Sequence, residues 1–101
     1  MKTIDQDLTI TPSSGNVFVD LGFDEAEAAV LAMRAKLMSD IAKQIERNRW
    51  TQTESARRFG ISQARVSDLV RGKFDKFSLD MLAQLATRAG NRVVLEFAEA
   101  A

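Results

Sequence analysis

The side chains of this chain that can take part in acid–base chemistry are limited to carboxylates, lysine and arginine. Among its 101 residues there is no histidine, no cysteine and no tyrosine. Without histidine and cysteine the chain cannot form a Ser-His-Asp triad, a cysteine nucleophile, a zinc finger or a disulfide bond. The composition therefore excludes most of the common designs of an enzyme active site.

The acidic side chains are concentrated at the start of the chain, where residues 1–30 carry six of them against one lysine. Carboxylate–metal chemistry would need the cluster of Asp20, Asp24, Glu25 and Glu27. A simpler explanation is that this cluster marks the start of a helix, because the N-terminal end of the helix dipole favours negative charge. We therefore expect no catalytic residue, no metal and no cofactor.

The basic side chains are concentrated in the middle of the chain. Residues 31–50 carry five basic residues against two acidic ones, and residues 51–76 carry six against three. The formal net charge of zero therefore hides a basic middle between acidic ends. Such a distribution is compatible with a polyanionic partner such as a nucleic acid.

Two short helices are predicted within this basic middle. Residues 51–54, Thr-Gln-Thr-Glu, fit a capping box with Thr51 as the N-cap, and the helix that follows ends at Gly60. Ser62 is predicted to cap the next helix, which ends at Gly72. The two helices are thus joined by a turn at residues 60–62.

The spacing within residues 52–71 predicts how these two helices pack. Counted from Gln52, a small or apolar residue stands at the fifth, ninth, tenth, fifteenth and eighteenth positions: Ala56, Gly60, Ile61, Val66 and Leu69. The alanine permits a close crossing and the glycine permits the turn, while the three larger residues fill the core and fix the crossing at roughly 90–120°. This is the spacing of a DNA-binding helix-turn-helix.

A family resemblance extends beyond that spacing. It lies in Thr51-Gln52-x-Glu54-x-Ala56, Gly60-Ile61-Ser62-Gln63, Val66-Ser67-x-Leu69 and Arg71-Gly72-Lys73. These stretches resemble the phage repressor/Cro (XRE-type) helix-turn-helix, and residues 36–90 follow the helix order of that family. The resemblance implies a mainly α bundle of four to five helices that binds the major groove of double-stranded operator DNA.

The resemblance also implies roles at the start of the second helix. Gln52 would hold a phosphate, while Ser62 and Gln63 would place the helix N-terminus at the groove, where glutamine pairs with adenine or a phosphate. Ala64 could offer only a methyl contact, for instance to thymine. Arg65 could donate two hydrogen bonds to guanine.

Four further residues complete the implied contact surface. Ser67, Arg71 and Lys73 would contact the DNA backbone or the edge of the groove. Asp68 could accept from cytosine, although an intramolecular partner such as Arg71 or Arg65 suits it equally, because phosphates repel a carboxylate. Helical geometry agrees, because burial of the apolar positions turns this set outward: Ala64, Ser67, Asp68 and Arg71.

A long helix is predicted ahead of the motif. It begins at Asp24 and continues without glycine or proline to about Asn48. Its length favours a break near Arg34–Ala35, or a second partner along the helix. Its apolar stripe is predicted to face the core: Val30, Met33, Leu37, Ile41 and Ile45.

Short strands are predicted at both ends of a single domain that spans residues 16–97 and follows a flexible segment, residues 1–15. Apolar residues alternate over residues 16–21 and 92–97, as in strands with one buried face. A two-stranded ribbon is marginal by itself. We therefore expect it to pair with the ribbon of a second copy in a two-fold homodimer.

The N-terminal sequence narrows the resemblance. Residues 16–28, from Asn-Val-Phe-Val-Asp-Leu-Gly-Phe to Asp-Glu-Ala-Glu-Ala, stand ahead of the helix-turn-helix and a short strand. This arrangement resembles small HigA-like antitoxins. It implies a repressor that controls its own toxin–antitoxin operon and also blocks a small ribonuclease toxin.

The alternative is a protein-interaction module, toxin-neutralising or adaptor, with little DNA binding of its own. The absence of any salt-dependent affinity for DNA at the surface of residues 31–76 would favour this alternative. The chain has no apolar run near the roughly 20 residues that span a bilayer and no signal-peptide pattern, so we expect a cytoplasmic protein without a membrane partner.

Overall fold

The computed structural model describes residues 16–99, which form five α-helices and one 3-10 turn but no strand. The mainly α class is therefore confirmed for these residues. The predicted flexible segment, residues 1–15, lies outside them. The elements are α1 (Val17–Asp20), α2 (Glu25–Asn48), α3 (Gln52–Phe59), α4 (Gln63–Val70), the 3-10 turn (Phe74–Lys76) and α5 (Leu79–Arg88).

Helix α2 is continuous over Glu25–Asn48, so the break predicted near Arg34–Ala35 is absent. The helix contains no glycine or proline that would interrupt its hydrogen bonds. The chain nevertheless divides into two compact units between Met33 and Arg34.

In the first unit, the strand predicted over residues 16–21 is wrong, because α1 forms there. The side chain of Asn16 accepts a hydrogen bond from the Phe18 backbone N–H at 2.9 Å and donates one to the Ala28 carbonyl at 3.2 Å. Phe18 is buried and meets the Phe23 ring edge-on, with centroids 6.2 Å apart. Local capping therefore satisfies backbone groups that a strand would leave without a neighbour.

The apolar stripe predicted on α2 is correct only in part. In the second unit, Ile41 is buried, and Leu37 and Ile45 pack against the core. In the first unit, Val30 and Met33 are exposed, against the prediction. The buried positions of α2 in the first unit are Ala28 and Leu31 instead.

The core of the second unit is built by α2, α3, α4, α5 and the loop before α5. Large aromatic and aliphatic side chains fill it, and Phe59 and Phe77 are almost fully buried. Short helices of this kind gain most of their stability from such packing, because helices of eight to ten residues are marginal alone. The buried members are Met38, Ile41, Phe59, Leu69, Phe77, Leu82, Leu85 and Ala86.

Residues 91–99 have no regular secondary structure, so the strand predicted over residues 92–97 is absent from the single chain. A strand needs a neighbour to satisfy its backbone. The neighbour expected within the chain, residues 16–21, is helical instead. Within residues 16–99, no helix has the length and apolar character needed to cross a membrane.

Candidate nucleic-acid interface

Helix α3 begins with a cap that differs in one respect from the predicted box. Thr51 Oγ1 accepts a hydrogen bond from the Glu54 backbone N–H at 3.0 Å, as expected. The Glu54 carboxylate does not return to Thr51; it accepts from Arg57 and Arg58, each at 2.6 Å. Two cations one turn ahead outcompete the neutral N–H of the cap, because charge-assisted hydrogen bonds are the stronger kind.

The ion pair between Glu54 and Arg57 shifts the pKa values of both groups. The hydrogen bond from Arg57 is the main cause that lowers the pKa of Glu54, and the same bond raises the pKa of Arg57. Arg58 also lies over the Trp50 ring, 4.4 Å from its centroid, and Trp50 packs edge-on against Phe59. Arg58 is therefore positioned by the protein itself.

The turn after α3 depends on a left-handed residue. Gly60 has φ 71°, and its N–H donates to the Ala56 carbonyl at 2.8 Å. Arg88 of α5 donates from Nη1 to the Phe59 carbonyl at 3.0 Å. A Cβ at position 60 would lie 3.4 Å from that guanidinium. The turn is therefore held by its own backbone and by Arg88, a residue outside the motif that no pattern in the sequence pointed to.

Helix α4 follows this turn and packs against α3. Ser62 Oγ accepts from the Arg65 backbone N–H at 3.2 Å, which confirms the predicted cap. Val66 and Leu69 are buried, and Ile61 packs against the core. The two short helices, the glycine turn and the three apolar anchors therefore have the geometry of a helix-turn-helix.

Two glutamines link the N-terminal ends of α3 and α4. Gln52 Nε2 donates to the Gln63 backbone carbonyl at 3.1 Å, and Gln63 Nε2 donates to Thr53 Oγ1 at 3.2 Å. All three residues are exposed. Thr53 was not predicted as part of this surface. Its position beside Gln52 in the first turn of α3 was the signal that could have identified it.

The predicted contact residues lie at different depths on α4. Ser62, Gln63, Ala64 and Arg71 are exposed, whereas Ser67 is half-buried. Ala64 directly follows Gln63 in the first turn, so the start of the helix presents one amide and one methyl group. This exposed end is the part of a helix-turn-helix that reaches base edges in the major groove.

Arg65 is turned toward the protein. Its guanidinium lies 4.5 Å from the centroid of the Phe77 ring, and Nη2 is 2.9 Å from Met81 Sδ. The side chain is half-buried, and stacking of this kind stabilises an arginine over an aromatic ring. A contact between Arg65 and a guanine requires the exchange of these internal contacts.

Asp68 has an intramolecular partner, but neither of the two predicted. Its Oδ1 is 3.6 Å from Lys73 Nζ, rather than paired with Arg71 or Arg65. The Lys73 N–H also donates to the Asp68 carbonyl at 3.1 Å, so the loop after α4 folds back on the helix. This fold places the Lys73 ammonium beside the carboxylate.

The sequence profile of a family described as a helix-turn-helix domain matches residues 17–97. The chain belongs to this helix-turn-helix family. The match covers the motif and most of the residues that the structure describes. No curated protein matches the chain. Membership of the helix-turn-helix family supports DNA as a partner of the chain.

Proposed function

We propose that the protein is a sequence-specific, DNA-binding transcriptional repressor that inserts α4 into the major groove of its operator. It works in the cytoplasm as a homodimer, as most helix-turn-helix proteins do. The observation that carries the proposal is the exposed, capped start of α4, with Gln63 held at its tip by Thr53.

The contacts divide by chemistry. Gln63 and Ala64 face outward at the helix start and would read base edges through an amide and a methyl group. Arg71 and Lys73 stand near the other end of α4 and would neutralise phosphates. Lys73 remains available to a phosphate, because its Nζ lies 3.6 Å from Asp68 Oδ1, a long distance for an ion pair, and its side chain is 44% exposed.

The test begins with a pool of random-sequence DNA duplexes, from which the full chain selects its preferred site. Binding of the selected and a scrambled duplex is then followed by fluorescence anisotropy at several salt concentrations. We expect log Kd to rise linearly with log salt, since each neutralised phosphate contributes a slope of about 0.9.

The Gln63→Ala variant separates base recognition from general attraction. It is expected to weaken binding to the selected duplex about tenfold, in line with roughly 1–3 kcal/mol for a paired amide, and to leave the scrambled duplex nearly unchanged. Gln84→Ala, at an exposed glutamine of α5 outside the motif, is the matched control. If no duplex is enriched and salt has no effect, the protein-interaction module is the better description.

We also propose that the repressor is the antitoxin and autoregulator of a toxin–antitoxin operon. The support comes from the first unit, whose described residues, 16–33, contain four acidic residues and no basic one. Several apolar side chains there are exposed, among them Val17, Leu21 and Phe23. An acidic surface with apolar groups suits a small basic ribonuclease.

The antitoxin role is tested with the product of the adjacent reading frame. A short, basic, ribonuclease-like neighbour should arrest growth alone and be neutralised when this chain is co-expressed. Leu21→Asp is expected to lose neutralisation, whereas Val70→Asp, at an exposed apolar residue of α4, should retain it. A neighbour without toxicity, or equal neutralisation by both variants, would reject the role or its location.

A further inference from the structure

The segment after α5 starts from a fixed point. Asn91 Nδ2 donates to the Ala86 carbonyl at 3.0 Å and to Gln44 Oε1 at 2.7 Å, and Gln44 Nε2 donates back to Asn91 Oδ1. Two residues later, Val93 packs partly against the core. The segment that follows therefore starts from an anchored position.

Beyond this anchor the segment has the composition of a strand but no neighbour. Val94, Leu95 and Phe97 are 73%, 85% and 98% exposed, among the most exposed large apolar side chains of residues 16–99. No backbone hydrogen bond joins residues 92–99 to the rest of the described chain. Unpaired backbone beside exposed β-branched and aromatic residues is the typical template for strand addition.

The order of residues 92–96, Arg-Val-Val-Leu-Glu, is complementary to itself when reversed. We propose that this segment pairs antiparallel with the same segment of a second copy of the chain, with Val94 opposite the partner's Val94. Arg92 then lies opposite the partner's Glu96, and Val93 opposite the partner's Leu95. Directly opposite residues share one face of a sheet, so each charge meets its opposite and each apolar side chain meets an apolar one.

Only this register has that property. A shift of one residue places Arg92 opposite the partner's Leu95 or Phe97, and a shift of two places it opposite Val94 or Ala98 of the partner subunit. Such shifts move apolar side chains to the polar face or leave charges opposite apolar groups. Charge complementarity within the segment therefore selects a second copy as the occupant and fixes the register.

The pairing also extends an existing core. Side chains alternate across a strand, so Leu95 and Phe97 lie on the same face as Val93, which already packs against the second unit. A ribbon of five pairs is marginal alone. Its attachment through Val93 to the core of each copy supplies the support that a free ribbon lacks.

This inference rests on the proposed function, because the paired segments would form the homodimer that binds a two-fold operator. It is tested without DNA, by the mass of the full chain in sedimentation experiments over a range of concentrations. The wild type is expected to have twice the 11.2 kDa of one chain. Arg92→Glu and Glu96→Arg should each reduce it to one chain, because both place like charges opposite each other.

The double variant Arg92→Glu/Glu96→Arg restores opposite charges in the same register, and its dimer should return. Circular dichroism checks that all variants keep their helices, as expected for exposed positions. A wild type that stays monomeric would overturn the inference, and so would single variants that stay dimeric or a double variant that stays monomeric. DNA binding is judged separately by its own titration, so the two failures remain distinguishable.

A cross-link tests the register directly, because the chain contains no cysteine. In Val94→Cys the two thiols lie directly opposite each other, within the separation that a disulfide spans. In Leu95→Cys they are diagonal neighbours about 7–8 Å apart, too far for an unstrained bond. Under mild oxidation we expect Val94→Cys to form covalent dimers faster, although Leu95 is the more exposed. Equal rates, or a faster reaction at residue 95, would overturn the register.

Discussion

Arg65 shows how a side chain suited to DNA can also serve the fold. Helical geometry placed it on the flank of α4, but which neighbour it would contact depended on Phe77 and Met81, far along the sequence. The same limit applies to Asp68, whose partner is Lys73 rather than either predicted arginine. A helix cap depends on residues close together in the sequence, so it could be predicted. The ion-pair partner of Asp68 could not, because several long, flexible cationic side chains stand near it in the sequence.

Arg65 and Lys73 are expected to affect DNA binding in different ways. Arg65→Ala should relax specificity at one base position. The loss in the free energy of discrimination should lie near the lower end of roughly 1–3 kcal/mol, since Arg65 must exchange its contacts with Phe77 and Met81 for base contacts. Lys73→Ala should weaken all duplexes alike and reduce the salt slope by about 1. Titrations of selected and scrambled duplexes measure both effects. Equal losses on the two duplexes for Arg65→Ala would remove it from base recognition.

Glu54 makes one part of the stability pH-dependent. Its pKa is lowered in the folded protein, chiefly by Arg57, so its ion pairs stabilise the fold above the ordinary value of 4.5. That stabilisation is lost as the pH falls through the lowered pKa. Thermal unfolding should therefore show Glu54→Gln less stable than wild type at neutral pH, with the difference disappearing in acid. Glu46→Gln, at an exposed residue of α2, is the control; a gap at Glu54 that persists in acid would contradict the mechanism.

The starts of two capped helices could be predicted from the sequence, whereas the conformation of residues 16–21 and 92–97 could not. Helices α3 and α4 have Thr51 and Ser62 as side-chain caps, and these two residues predicted the starts of both helices correctly. The predicted strands relied on alternation alone. Alternation describes which side chains share a face, but a strand also needs a backbone neighbour, and neither end of the chain has one within residues 16–99.

A single substitution at the end of α2 is expected to stabilise the folded protein. Arg49 adopts φ 55°, and the Trp50 N–H donates to the Ile45 carbonyl at 3.1 Å, in the arrangement that glycine usually provides. Arg49→Gly is therefore expected to increase the free energy of unfolding by about 0.5–1 kcal/mol, measured with urea. Arg47→Gly, two positions earlier within the helix, should decrease it by about 1 kcal/mol. Changes of the same sign in both would contradict this explanation.

For the whole molecule, the proposed dimer sets the form of the operator. Two copies of α4 should bind half-sites about one helical turn apart, roughly 10 base pairs between centres. Insertion of half a turn of DNA between them should abolish the tight complex of the wild type in footprinting experiments. The monomeric Arg92→Glu variant should bind weakly and be indifferent to the insertion. A wild type equally indifferent would show that each copy binds alone.

The hydrogen bond from Gln63 Nε2 to Thr53 Oγ1 bears on the proposed recognition of a base, because it orients the amide in the free protein. Before any duplex arrives, the amide already has an oxygen to donate to, and its rotational freedom is restricted. A primary amide carries two N–H donors, so a matching base could accept from the second N–H while Thr53 retains the first. If Gln63 reads a base as proposed, little rotational freedom would remain to be lost on binding, and an acceptor at one position would be favoured over acceptors placed elsewhere.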